Sequence, residues 1–137
     1  MRCNFTVRDF ILLRGDLGEI DIHNAYDLAS YELSSHGRVF RMTFAGNKYL
    51  LPTGPKGFDI RFTEVDTLEI TDAPADLTDF CVHEVVFMAA AERGYDDLPA
   101  GETPEPGQHM VFIGETAKGA RATIRVHAAS AELLPRA

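Results

Sequence analysis

Apolar and polar residues alternate from Tyr26 to Phe44, on both sides of a His36-Gly37 pair. Ala29, Tyr31 and Leu33 fall on one parity of the first arm, and Ser30, Glu32 and Ser34 on the other. The second arm sets Phe40, Met42 and Phe44 against Val39, Arg41 and Thr43. Period two marks a strand with one buried face, because successive side chains leave opposite faces of a sheet. The pattern predicts an antiparallel hairpin over 26–35 and 38–44. A two-residue loop at His36-Gly37 sets Leu33 opposite Phe40, Tyr31 opposite Met42 and Ala29 opposite Phe44, so that the apolar faces coincide.

Similar alternation, broken by turn residues, extends along the chain. Residues 4–12 read as a strand with Phe5, Val7 and Ile11 on one face; Gly15-Asp16 and Gly18 mark a turn, and Ile20-Asp21-Ile22 a short strand. The Gly- and Pro-rich stretch from Gly46 to Gly57 is a loop. Phe58–Phe62 and Leu68–Ile70 alternate as strands, and Asp72-Ala73-Pro74 ends that run. Residues 77–91 carry two signals. Leu77, Phe80, Cys81, Val85, Met88 and Ala91 fit a helical stripe that Asp76 would cap and Gly94 would stop. Val82, Val85, Val86 and Phe87 favour a strand over 81–88, which is the preferred reading.

From Tyr95 to Gln108, prolines, glycines and the acids Asp96, Asp97, Glu102 and Glu105 predict a solvated loop. Met110–Ile113 and Ala122–Val126 read as closing strands, and a short 131–134 segment ends at Pro135. The expected fold is a single domain over residues 1–137, mainly β or α+β. Its architecture is an antiparallel sheet of meander or sandwich type with at most one or two helices. Phe40, Phe44, Ile60, Phe62 and Ile124 should share one core.

Composition narrows the function classes. The chain has 137 residues, with 13 Lys and Arg against 21 Asp and Glu, a net charge of −8. That sign opposes nucleic acid and anionic lipid, and suits a basic protein partner. No apolar run approaches the roughly 20 residues of a membrane span. The N-terminal segment lacks the apolar core of a signal peptide. Cys3 and Cys81 are too few for a disulfide scaffold, which fits a reduced, cytoplasmic protein.

The candidate chemistry is sparse. Asp21, His23 and Asp27 form the densest polar cluster, and His83-Glu84 is a second pair. A histidine beside carboxylates can bind zinc or act as a general base. If the two groups met, two histidines and two acids would complete a tetrahedral set. The HExxH signature is absent, since Phe87 stands where its second histidine belongs. In the plainer reading, His23 and Asn24 bond backbone at a turn and Cys81 packs in the core. No GxSxG, GxGxxG or phosphate-loop spacing occurs. No catalytic residue, cofactor or tightly bound metal is therefore expected. Asp96, Asp97, Glu102 and Glu105 form a candidate acidic contact loop.

The stretch from Ile22 to Phe44, with its His23-Asn24-Ala25-Tyr26-Asp27 start, is joined by Phe62-Thr63-Glu64-Val65 and Ile124-Arg125-Val126-His127. Together these segments resemble small bacterial immunity-type β-rich domain proteins. The resemblance implies a non-catalytic protein that binds and neutralises a cognate toxin, and it transfers no particular residue. Two rival readings remain. One is a small metal-dependent or acid-base enzyme using His23, Asp27, His83 and Glu84. The other is a structural subunit that pairs with copies of itself through an exposed sheet edge or an apolar face.

Overall fold

The alternating segment becomes the first hairpin of a curled antiparallel sheet in the computed structural model, which describes residues 1–34, 36–71, 77 and 79–136. The chain is all-β, with no helix among the described residues. In chain order the strands are β1 (Arg2–Cys3), β2 (Phe5–Arg8), β3 (Leu12–Gly15), β4 (Gly18–Asp21) and β5 (Tyr26–Leu33). They continue as β6 (Val39–Gly46), β7 (Gly57–Thr71), β8 (Cys81–Met88), β9 (His109–Glu115) and β10 (Arg121–Arg136). The large sheet runs β5-β6-β7-β10-β9-β8, with β1 added parallel to β10; β2-β3-β4 form a second sheet. Its outermost strands approach each other again, because Leu28 of β5 bridges Phe80 just before β8. The sheet is thus a half-barrel.

The hairpin keeps the expected register at Leu33–Phe40 and Tyr31–Met42. Gly37 takes a positive φ of 68° in the turn, where a side chain would be strained. One pairing differs: Leu28, not Ala29, lies opposite Phe44, because Ala29 is the extra residue of a bulge. The bulge brings Leu28 into the core and lets its amide donate to Phe80 O (3.0 Å). Tyr31 and Leu33 keep the inward parity yet stay exposed at the free end of the edge strand. Ser35, the expected end of this arm, lies outside the described residues, as do Asp72-Ala73-Pro74 and the helix-capping Asp76.

Three further segments correct the expected strands. Residues 4–12 are not one strand: Asp9 and Phe10 adopt positive φ (52° and 64°) and turn β2 back onto β3. Such a φ is costly for a phenylalanine and leaves no mark on the alternation. The 58–62 and 68–70 runs are one strand, β7, paired along its length with β10. Glu64 has φ 57°, and the register shifts near Asp66. Inward parity therefore moves from Phe58, Ile60 and Phe62 to Val65, and then to Leu68 and Ile70. Such irregularities coil a long strand pair and help the sheet curl. Pro135 belongs to β10. Leu133 N, of the same parity, donates to Asn4 Oδ1 away from β7, so the proline's missing N–H falls on a side without a strand.

β8 forms as a strand over the expected residues 81–88, and no helix takes its place. Its near-continuous apolar run, like that of β9, reflects burial on both faces. Inward, Val82, Val85, Phe87, Met110 and Phe112 join the main core with Phe40, Phe44, Ile60, Phe62 and Ile124. Phe5, Val7, Leu13 and Ile20 of the small sheet join them. Outward, Val86, Met88, Val111 and Ile113 form a second cluster covered by Phe10, Tyr95 and Leu98. The 95–108 segment is a loop, as expected, but an anchored one. Besides its two apolar contacts, Glu102 O accepts from Val7 N (2.9 Å).

Candidate functional site

Curling of the sheet brings the turn after β4 against the start of β8. That turn is closed by Asp21, whose carboxylate accepts from Asn24 N (2.9 Å) and Asn24 Nδ2 (2.8 Å). Its carbonyl accepts from Ala25 N (3.1 Å). Asp21 is thereby a turn-forming residue, of the Asx type expected at such a position. His23 sits inside the turn, with Nδ1 2.7 Å from Val82 O. A carbonyl can only accept, so Nδ1 is the donor in this contact, and Nε2 is the nitrogen left without a partner in it.

On β8, Cys81 and His83 are two residues apart, and the register with β9 shifts between Val82 and Glu84. His83 is the extra residue of this bulge. Its ring meets that of His23 edge to face, with centroids 5.3 Å apart. Cys81 Sγ lies 3.8 Å from His23 Nδ1 and 3.6 Å from His23 O. One possible ligand atom from each of His23, Cys81 and His83 falls within 4.8 Å of the other two, and all three side chains are half-buried. Gly114, opposite Val82, permits this approach: a Cβ there would overlap the Cys81 carbonyl.

An open cleft of about 500 Å³ adjoins His23 and Cys81 and is also lined by Asn24, Asp27, Asn47, Lys48 and Tyr49. Burial raises the Asp27 pKa; the Asn47 amide (3.4 Å) opposes the shift and the Asp79 carboxylate reinforces it. Burial also pushes up the Cys81 thiol, helped by Asp27 and Glu115. Cys3, deeper in the fold, is pushed up to about 11, chiefly by burial, and is an inert thiol.

The structure therefore unites His23 and His83, and places Asp27 on the cleft that His23 lines. Glu84 joins neither the cleft lining nor the three-residue group. Cys81, expected in the core, is instead half-buried at the cleft wall. Cys-x-His on a strand was its available signal, since alternation puts both side chains on one face. Asp96, Asp97, Glu102 and Glu105 all lie exposed on the anchored 95–108 loop. None of the four takes part in an ion pair among the described residues. A second cleft, of about 620 Å³, is walled by Leu12, Leu17, Tyr26 and Leu50. Tyr49 and Leu51 stand on it 65% and 69% exposed.

Sequence reasoning missed a separate polar cluster behind β9. Arg125 is 2% exposed and donates to Glu92 O (2.5 Å), Ala89 O (3.4 Å) and His109 Nδ1 (3.2 Å). Burial, followed by the charges of Arg125, His127 and Arg93, holds His109 below its ordinary pKa of 6.5; Glu69 opposes them weakly. His127 bonds both Asp66 oxygens (2.8 and 2.9 Å) and keeps that carboxyl below the usual range.

A pH dependence follows from His109. Its folded pKa is depressed, so below about pH 6.5 the unfolded chain binds more protons than the folded one. Stability contributed by neutral His109 is present above that pH. It is lost as pH falls, and the loss levels off below the folded pKa. Thermal melting between pH 7.5 and 5 should show this decline, and His109→Gln should flatten it.

Comparison with protein-family models, with curated proteins and with solved structures finds no match to this chain.

Proposed function

We propose that the chain is a non-catalytic protein-binding domain of immunity type that neutralises a basic partner. The observation that supports this reading is the anchored acidic loop. Tyr95 and Leu98 pack onto the outer face of β8 and β9, and Asp96, Asp97, Glu102 and Glu105 are left exposed. Charges held this way need no large ordering cost on binding. Their field speeds encounter with a positive surface and is screened by salt over a Debye length of about 8 Å. Charge of this kind sets rate and partner choice more than affinity, which comes from buried aromatic and aliphatic anchors. Exposed Tyr49 and Leu51 beside their cleft supply such anchors.

Affinity capture from lysate of the source cells tests the proposal, using the wild-type chain and a variant carrying Asp96→Lys, Asp97→Lys, Glu102→Lys and Glu105→Lys. The protein retained by the wild type is expected to be basic and to be lost from the variant, with the variant's melting temperature close to wild type. Equal retention by both chains, or capture of an acidic protein, would contradict the reading.

The enzyme reading draws on the meeting of His23 and His83 with Asp27 nearby, but it lacks Glu84 at the cleft. Substrate turnover lost in His23→Ala and His83→Ala would favour it.

A further inference from the structure

We propose that His23, Cys81 and His83 form a three-ligand site for a zinc-type divalent metal ion, open to the adjoining cleft at the fourth position. The inference is independent of the partner-binding proposal and replaces the expectation of no tightly bound metal.

Two imidazoles and a thiolate are borderline-to-soft ligands that suit zinc and its neighbours, whereas magnesium and calcium require oxygen cages. The bond from His23 Nδ1–H to Val82 O (2.7 Å) leaves Nε2 free. Ligation through Nε2 keeps this bond as the outer support that metal-binding histidines commonly have. Tetrahedral zinc bonds of about 2.0–2.3 Å put neighbouring ligand atoms roughly 3.3–3.8 Å apart. One ligand atom of each residue lies within 4.8 Å of the other two, so side-chain rotation completes the set.

The backbone around the site is also specialised. The β8 bulge re-aims His83 beside Cys81, and the Asp21–Asn24 turn sets His23 opposite them. Gly114 leaves room for the Cys81 backbone. Three devices from three parts of the chain thus converge on one group of side chains. Asp27 and Asn47 line the same cleft and offer polar oxygens to a water or ligand in the fourth position.

Titration of chelator-stripped full-length protein with zinc, monitored by calorimetry and by competition with a chromogenic chelator, decides the matter. One tight, saturable site per chain is expected. Cys81→Ser and His83→Ala should each weaken it by at least the roughly 10–100-fold that outer-support changes alone cost. His36→Ala, on the exposed hairpin turn, should leave it unchanged. Cobalt in place of zinc should give a thiolate-to-metal charge-transfer band that Cys81→Ser abolishes. Absence of stoichiometric zinc binding to the wild type would overturn the proposal whatever the variants do. Wild-type affinity in folded Cys81→Ser and His83→Ala chains would overturn it equally.

Discussion

Phe62→Ala is expected to lower the unfolding free energy by about 3–5 kcal/mol, the range for emptying a buried aromatic site. Phe62 is fully buried on β7, stacks on Phe40 of the neighbouring strand with centroids 6.1 Å apart, and meets Phe112 edge to face at 6.4 Å. β10 lies between β7 and β9 in the sheet, so the Phe62–Phe112 contact joins strands that are not adjacent. Removing the ring takes away contacts on both sides of the curl, and neighbours tied into two strands cannot collapse fully into the space. Denaturant unfolding should therefore show a lower midpoint with an unchanged slope. A loss below about 1 kcal/mol would mean that this side chain does not hold the half-barrel together.

Arg125→Ala should cost about 2–4 kcal/mol, from the emptied volume and from polar partners left without a donor. The guanidinium bonds the carbonyls of Ala89 and Glu92, at the exit of β8, and His109 on β9. It ties the start of the 89–108 connection to the sheet. Hydrogen exchange should accelerate over residues 89–94 in the variant, ahead of the β7 and β10 amides. Arg125→Lys should recover only part of the loss, because an ammonium cannot reproduce the planar fork that reaches three acceptors. Full stability in Arg125→Lys would show that charge alone suffices.

Period-two alternation made much of the sheet legible. Leu33 faces Phe40 and Tyr31 faces Met42 because only that register aligns the apolar parities. Strand 81–88 was legible from its β-branched residues despite a competing helical stripe. The Ala29 bulge was not, because its cause lies elsewhere: the edge strand bends to bridge Phe80, a partner 52 residues from Leu28. The positive φ values at Phe10 and Glu64 were equally hidden, since neither is a residue type that favours that region.

The candidate site was half visible. His23 and His83 could be named from local composition, whereas their meeting depends on the sheet closing on itself. Cys81 was misjudged because free cysteines are mostly buried, and here one stands at a cleft wall. The acidic loop read as merely solvated because its composition hides two anchors. Tyr95 and Leu98 matter only once β8 and β9 are known to bury both faces.

Stopped-flow association with the captured partner at low and moderate ionic strength decides whether charge steers binding of a basic protein. The wild-type association rate should fall about tenfold or more as salt rises. The four-site lysine variant should associate slowly at both ionic strengths. Tyr49→Ala with Leu51→Ala should leave the association rate unchanged and speed dissociation. An association rate independent of salt, and equal in the wild-type and charge-reversed chains, would rule out charge steering.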